Sequence, residues 1–158
     1  MWTWDFIFDR TDKGSTLKMR TMLDEYSRGC LAIRVERQIQ SEHVLFALWQ
    51  AMTTYGIPRY IRSDNGSEFI AQKIQTWLKE NQIKTLYIDP GSPWQNGYIE
   101  SFHSRFRDEC LNREWLLNLR EARVVIEDWR QHYNEERPHS RLGYLSPEAF
   151  LANQKVSP

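Results

Sequence analysis

A mixed α/β sheet of five strands flanked by helices is the fold class that the sequence predicts. Two patterns carry the prediction. Three consecutive stretches near the start alternate apolar and polar residues with the period of a strand. Beyond residue 40, apolar residues recur every three to four positions in segments separated by short strand-like runs. Hairpin strands followed by alternating strands and helices give a sheet antiparallel on one side and parallel on the other, covered by helices. A length of 158 residues, 41% of them hydrophobic, supports one domain with a substantial core.

In WTWDFIFDR, Trp2, Trp4, Phe6 and Phe8 fall on one face and Thr3, Asp5, Ile7 and Asp9 on the other, which makes the first strand. The polar turn TDKGS follows. The second strand alternates through Leu17, Met19, Thr21 and Leu23, and the third through Leu31, Ile33 and Val35. Ser41 is the expected N-cap of a helix carrying Val44, Leu45, Leu48, Trp49 and Met52, stopped by YGIP. RYIRS is a short strand, DNGSEF a turn, and Phe69, Ile70, Ile74, Trp77 and Leu78 mark the next helix. IKTLYI is the fifth strand and leads into the loop DPGSPWQNG. The following helix has Ile99, Phe102 and Phe106 as its apolar stripe, and another carries Ala122, Val125, Ile126, Trp129 and Tyr133. The turn-rich tail NEERPHSRLGYLSPEAF holds a last short helix near Pro147.

Lys plus Arg and Asp plus Glu both total 21, so net charge gives no reason of its own to expect a nucleic-acid partner. No apolar run is long enough to span a bilayer and no signal peptide opens the chain, so a cytoplasmic protein without a membrane partner is expected. Cys30 and Cys110 lack CxxC spacing and the four histidines lack zinc-ligand spacing, so both cysteines are read as free thiols.

Three acids occupy unusual places. Asp5 lies inside the first strand, opposite the aromatic face, where a Thr or Val is the ordinary occupant. Asp64 ends the fourth strand, and ligand sites in open α/β sheets gather just beyond such strand ends. Glu100 heads a helix stripe with His103, Ser104 and Arg107, separate from the apolar one. Taken singly, a strand-end Asp is usually a turn former and a helix Glu is usually solvated. Asp9, Asp12, Asp24, Glu68 and Asp89 compete for the same role, Asp24 most seriously because it too lies on an inner strand. Three converging carboxylates repel one another unless divalent cations neutralise them. Oxygen-only ligands favour Mg²⁺ or Mn²⁺, and a pair of such ions suits in-line displacement at a phosphodiester.

These residues resemble a known family. WTWDF at 2 to 6, SDNGSEF at 63 to 69 and PWQNGYIESFHSRFRDE at 93 to 109 are similar to the catalytic core shared by bacterial insertion-sequence transposases and retroviral integrases. The 35 residues between Asp64 and Glu100 match the D,D-35-E spacing of that family, and Arg107 stands where it carries a basic residue. LDEYSRGCLAI and YNEERPHSRLGYLSPEAF resemble the insertion-sequence branch more than the viral one. The resemblance implies a ribonuclease H-like fold, with Asp5, Asp64 and Glu100 as catalytic ligands of two Mg²⁺ or Mn²⁺ ions. It implies nicking of a DNA 3′ end and transfer of the freed 3′ hydroxyl to a second phosphodiester, in an assembly of several copies on paired DNA ends. Asn96, Arg107, Trp94 and His103 are then the candidate DNA contacts. The chain opens at the first strand, so the N-terminal DNA-binding helices of a full-length transposase are expected to be absent from it. A ribonuclease H-like nuclease acting on RNA–DNA hybrids, and a core that has lost its chemistry and serves as an interaction module, are the alternatives.

Overall fold

The first two strands carry apolar residues on both faces, and a sheet of that kind is stable only when both faces are covered. The computed structural model, which describes residues 1–11, 13–63, 72–87, 97–112, 116, 118–139 and 142–156, has that arrangement. Five strands, β1 (Trp2–Arg10), β2 (Thr16–Asp24), β3 (Cys30–Glu36), β4 (Tyr60–Ser63) and β5 (Lys84–Tyr87), form one sheet in the order β3-β2-β1-β4-β5. The β1–β2 and β2–β3 pairs are antiparallel, whereas β1–β4 and β4–β5 are parallel. β1 is therefore the central strand, where the antiparallel and parallel halves meet.

Helices α1 (Ser41–Tyr55) and α2 (Gln72–Glu80) cover the face bearing Trp2, Trp4, Met22 and Ile61. Helices α3 (Gly97–Phe106) and α4 (Leu119–Glu135) cover the face bearing Ile7, Leu17, Met19 and Leu23. A final helix, α5 (Pro147–Val156), packs on α4. Both cysteines are buried free thiols, as expected. No helix among the described residues is long and apolar enough to cross a membrane.

Three local expectations are corrected. Leu31, expected on one face with Ile33 and Val35, packs instead into the core under α1, because the β2–β3 register shifts at Met22/Leu23 and an extra residue reverses the alternation. Gln40, not Ser41, is the N-cap of α1, and its backbone N–H is bound by Nδ1 of His43 at 3.1 Å. Trp49 is 57% exposed, since the buried stripe of α1 runs through Val44, Ala47, Leu48 and Ala51, two of them small enough to bring the helix close to the sheet. Phe69 and Ile70 lie outside the described residues.

An edge strand offers unpaired backbone groups, and in β3 helix α4 supplies their partners. The Asn134 amide accepts from the Cys30 N–H at 2.7 Å and donates to the Cys30 carbonyl at 2.8 Å, reproducing the bonds of a neighbouring strand. Arg130 donates to the same carbonyl at 2.9 Å, and Arg123 to that of Val35 at 3.1 Å. Asn134→Ala leaves a buried N–H of β3 without this partner, so a loss of about 2–3 kcal/mol in urea-unfolding stability is expected. A change within about 0.5 kcal/mol would show that the edge needs no such pairing.

Candidate active site on the central strand

Asp5 sits at the middle of β1, on the face covered by α3, directly opposite Thr21 of β2. Its Oδ1 accepts the Phe6 N–H at 2.8 Å, which fixes the carboxylate against the strand. The Thr21 hydroxyl lies 3.4 Å from the Asp5 carbonyl oxygen and 2.6 Å from Nε2 of His103 on α3. One hydroxyl thus joins the strand of Asp5 to the helix of Glu100.

The docking of α3 follows from its apolar stripe. Ile99, Phe102 and Phe106 are all buried, Phe102 meeting Tyr133 edge-on at 5.1 Å and Phe106 lying 4.9 Å from Trp129 on α4. With that stripe turned inward, Glu100 remains exposed in the first turn of the helix, where a carboxylate complements the dipole. Glu100 precedes His103, which meets Thr21 opposite Asp5, by a rise of about 4.5 Å along the helix. Beyond Phe106 the helix widens into a π-helical turn over Arg107–Leu111, and Arg107 Nη2 donates to the Phe8 carbonyl at 3.1 Å. α3 and its extension are therefore tied to the sheet at two points along β1 and β2.

Of the stripe read from the sequence, Glu100 and Ser104 are exposed while His103 and Arg107 are half-buried and engaged with the sheet. Burial, reinforced by the neighbouring Arg107 charge, lowers the His103 pKa to about 4, so the ring is neutral at physiological pH. Asp64, Trp94 and Asn96 lie outside the described residues, as do Asp12, Glu68 and Asp89. β4 ends at Ser63, the residue before Asp64, and runs parallel to β1 with Arg62 against Thr3.

Of the competing acids, Asp24 and Asp9 are among the described residues. Asp24 lies opposite Trp2, and its carboxylate caps the β2–β3 turn, accepting from the Tyr26 N–H at 3.1 Å and from the Ser27 hydroxyl at 2.8 Å. Asp9 accepts the Arg10 N–H at 2.8 Å. Among the described residues no three His, Cys, Asp or Glu side chains are grouped to hold a metal ion. Burial pushes the Cys30 thiol up to about 12, which makes it inert as a nucleophile. Thr21 is the site residue that the sequence reading left in the core; its one signal is a polar side chain interrupting Leu17, Met19 and Leu23.

A central strand shared by antiparallel and parallel halves, with an acid at its middle and a helix bearing a second acid docked across it, defines a ribonuclease H-like core. Its geometry is similar to that of retroviral integrases. The simian T-cell lymphotropic virus intasome, solved in complex with the PP2A regulatory subunit B56 gamma, superposes with a TM-score of 0.83 at 15% identity, over 99% of this chain and 55% of that one. The HTLV-2 integrase catalytic core, solved with magnesium in a dimeric form, gives 0.63 at 20% identity, over 93% of this chain and 91% of that one. In sequence, residues 1–93 and 81–147 each match the family described as Integrase core domain, and the chain belongs to that family. An uncharacterized 39.2 kDa protein of insertion element IS476 from Xanthomonas euvesicatoria is 43% identical over 98% of this chain and 45% of its own length. The transposase InsF of insertion sequence IS3fB from Escherichia coli is 26% identical over 99% of this chain and 54% of its own. The chain thus spans about half the length of these relatives, as an integrase core of the insertion-sequence type related to the retroviral enzymes.

Two histidines shielded from solvent, the half-buried His103 and the buried His139, have folded-state pKa values of about 4, below the 6.5 of a free imidazole. The unfolded chain binds their protons first, so the stability they contribute is complete above pH 6.5 and is lost as pH falls toward 4. Together they give a slope of up to about 2.7 kcal/mol per pH unit. His103→Gln keeps a hydrogen-bonding group for Thr21 and should remove about half of that slope in urea unfolding followed from pH 7 to pH 5.

Proposed function

We propose that this chain is the catalytic core of an insertion-sequence transposase, which hydrolyses one phosphodiester to free a DNA 3′ hydroxyl and joins that hydroxyl to a second phosphodiester. The observation that carries this reading is the Thr21–His103 bond, which seats the helix of Glu100 over the strand of Asp5. Support comes also from β4, which runs beside β1 and leads into Asp64, and from the insertion-element relatives.

The donor set is three carboxylates, all hard oxygen ligands, and it fits Mg²⁺ or Mn²⁺ rather than zinc. Asp5, Asp64 and Glu100 would hold the ions. Such ions supply charge neutralisation at the phosphodiester and lower the pKa of a bound water. The magnesium in the HTLV-2 core agrees with that choice. The protein's own part is positional. The Phe6 N–H holds one oxygen of Asp5, and the aromatic seam under α3 holds Glu100 at the rim. His103, whose ring is spent on Thr21, braces the helix in this reading. Arg107 uses one of its five N–H donors on Phe8, and the others are assigned to a DNA phosphate. Trp94 and Asn96 are assigned to DNA beside the carboxylates. The active form is a homo-oligomer on paired ends.

Mn²⁺-dependent strand transfer on a branched oligonucleotide tests the reading directly. Asp64→Asn and Glu100→Gln each remove a proposed metal ligand and are expected to cost several kcal/mol of barrier, about a thousandfold in rate. Activity unchanged in both would sink the proposal, and so would cleavage of RNA–DNA hybrids with no joining of duplex DNA. Without metal, the same substitutions relieve repulsion between acids and should raise the melting temperature. A lowered value would mean that the carboxylates do not cluster.

A further inference from the structure

Past Asp5 the central strand runs on into a stretch that the carboxylate site does not use. β4 pairs with β1 only at Trp2 and Thr3 and ends at Ser63, so among the described residues no strand lies against that flank of β1 beyond Asp5. On the other flank β1 stays paired with β2 as far as Arg10 and Thr16. Strand alternation puts Phe6, Phe8 and Arg10 on one face of this extension, and the register sets Arg20, Lys18 and Thr16 directly across from them. It is the face that α1 and α2 cover farther back, at Trp2 and Trp4. That cover stops short of Phe8, whose side chain is 55% exposed. Nζ of Lys18 lies 4.1 Å from the centre of the Phe6 ring and 5.5 Å from that of Phe8, so aromatic and cationic groups are interleaved on this surface.

The local charge is positive. Hairpin residues 6–20 carry Arg10, Lys13, Lys18 and Arg20 against Asp9 and Asp12, in a chain whose total is zero. Arg10 and Lys13 are exposed. Asp9 falls on the other face, where its carboxylate accepts the Arg10 N–H. Glu36, opposite Lys18 on β3, is spent on Arg34 at 2.9 Å and Arg123 at 2.7 Å. A lone exposed Phe is ordinary and calls for nothing. A flat apolar ring rimmed by cations is complementary to something more particular, a flat base joined to phosphates. A duplex keeps the faces of its bases inside its own stack, so only unpaired nucleotides can use the ring.

We infer that Phe8, Arg10 and Lys18 form a binding site for single-stranded DNA, in which a base stacks on Phe8 and the adjoining phosphates meet Arg10 and Lys18. Strand rise places Phe8 about 10 Å beyond Asp5 along β1. The segment held is therefore one that flanks the reacting phosphodiester and passes the open flank of the strand. The choice of DNA as the polynucleotide rests on the transposase reading above.

Fluorescence anisotropy of a labelled oligothymidylate, titrated with the intact chain in the absence of metal, measures the dissociation constant. Phe8→Ala is expected to weaken binding about tenfold, whereas Phe8→Tyr, which keeps the ring, binds as the wild type does. Arg10→Gln and Lys18→Gln should each lower the slope of log Kd against log salt by about 0.7, the value of one phosphate contact on a single strand, while Phe8→Ala leaves the slope unchanged. Tyr26→Ala removes an exposed aromatic just past the opposite end of β2 and should leave the affinity as it was. A duplex of the same length should be insensitive to Phe8→Ala. Phe8 and Arg10 are at the surface, and circular dichroism checks that their variants fold. No binding of oligothymidylate by the wild type, equal affinity in the wild type and Phe8→Ala, or an equal effect of Phe8→Ala on the duplex would overturn the inference. Failure of the strand-transfer reading appears in the rates of Asp64→Asn, and failure of this site in dissociation constants measured without metal, so the two are told apart.

Discussion

The apolar seam between α3 and the sheet is the interaction on which the rest of this molecule depends. Ile99, Phe102 and Phe106 bury one side of the helix against Ile7, Met19 and the aromatic residues of α4. Burial of each such side chain stabilises by roughly 1.5–3 kcal/mol, far more than the polar bonds at the helix surface. Those polar bonds instead set position. Thr21–His103 and Arg107–Phe8 fix how far along β1 the helix sits and which turn stands over Asp5.

The same helix has two chemically opposite flanks. One presents the exposed carboxylate of Glu100. The other presents Tyr98, on whose ring the Arg28 guanidinium stacks at 4.3 Å. The zero net charge of the chain conceals this division, because it sums over regions of opposite sign. Local charge, not the total, decides what each surface can bind.

Stability at the edge of the sheet comes from another use of polar groups. α4 lies along β3 and gives it Asn134, Arg130 and Arg123 as backbone partners. Burial would raise the pKa of Glu127, but its hydrogen bonds and the Arg130 charge outweigh that and lower it, so the pair stays ionised where α4 meets the edge. An edge closed in this way resists pairing with another chain without needing to be short or charged along the strand.

The sequence by itself determined the order of elements, the alternation of β1 and β2, the inward stripe of α3 and the family, because each depends on periodicity or on spacing along the chain. Ile99, Phe102 and Phe106 were legible three and four residues apart, and Asp5 was conspicuous as an acid opposite an aromatic face. Only the tertiary structure decided which polar residues meet across elements. The bulge that turns Leu31 to the other core arises from pairing with β2, and the exposure of Trp49 from how closely two alanines let α1 approach. Thr21 and His103 are 82 residues apart, and Asn134 reaches Cys30 across 104. Such contacts carry no local period, and they exist only once the sheet and its helices have been packed together.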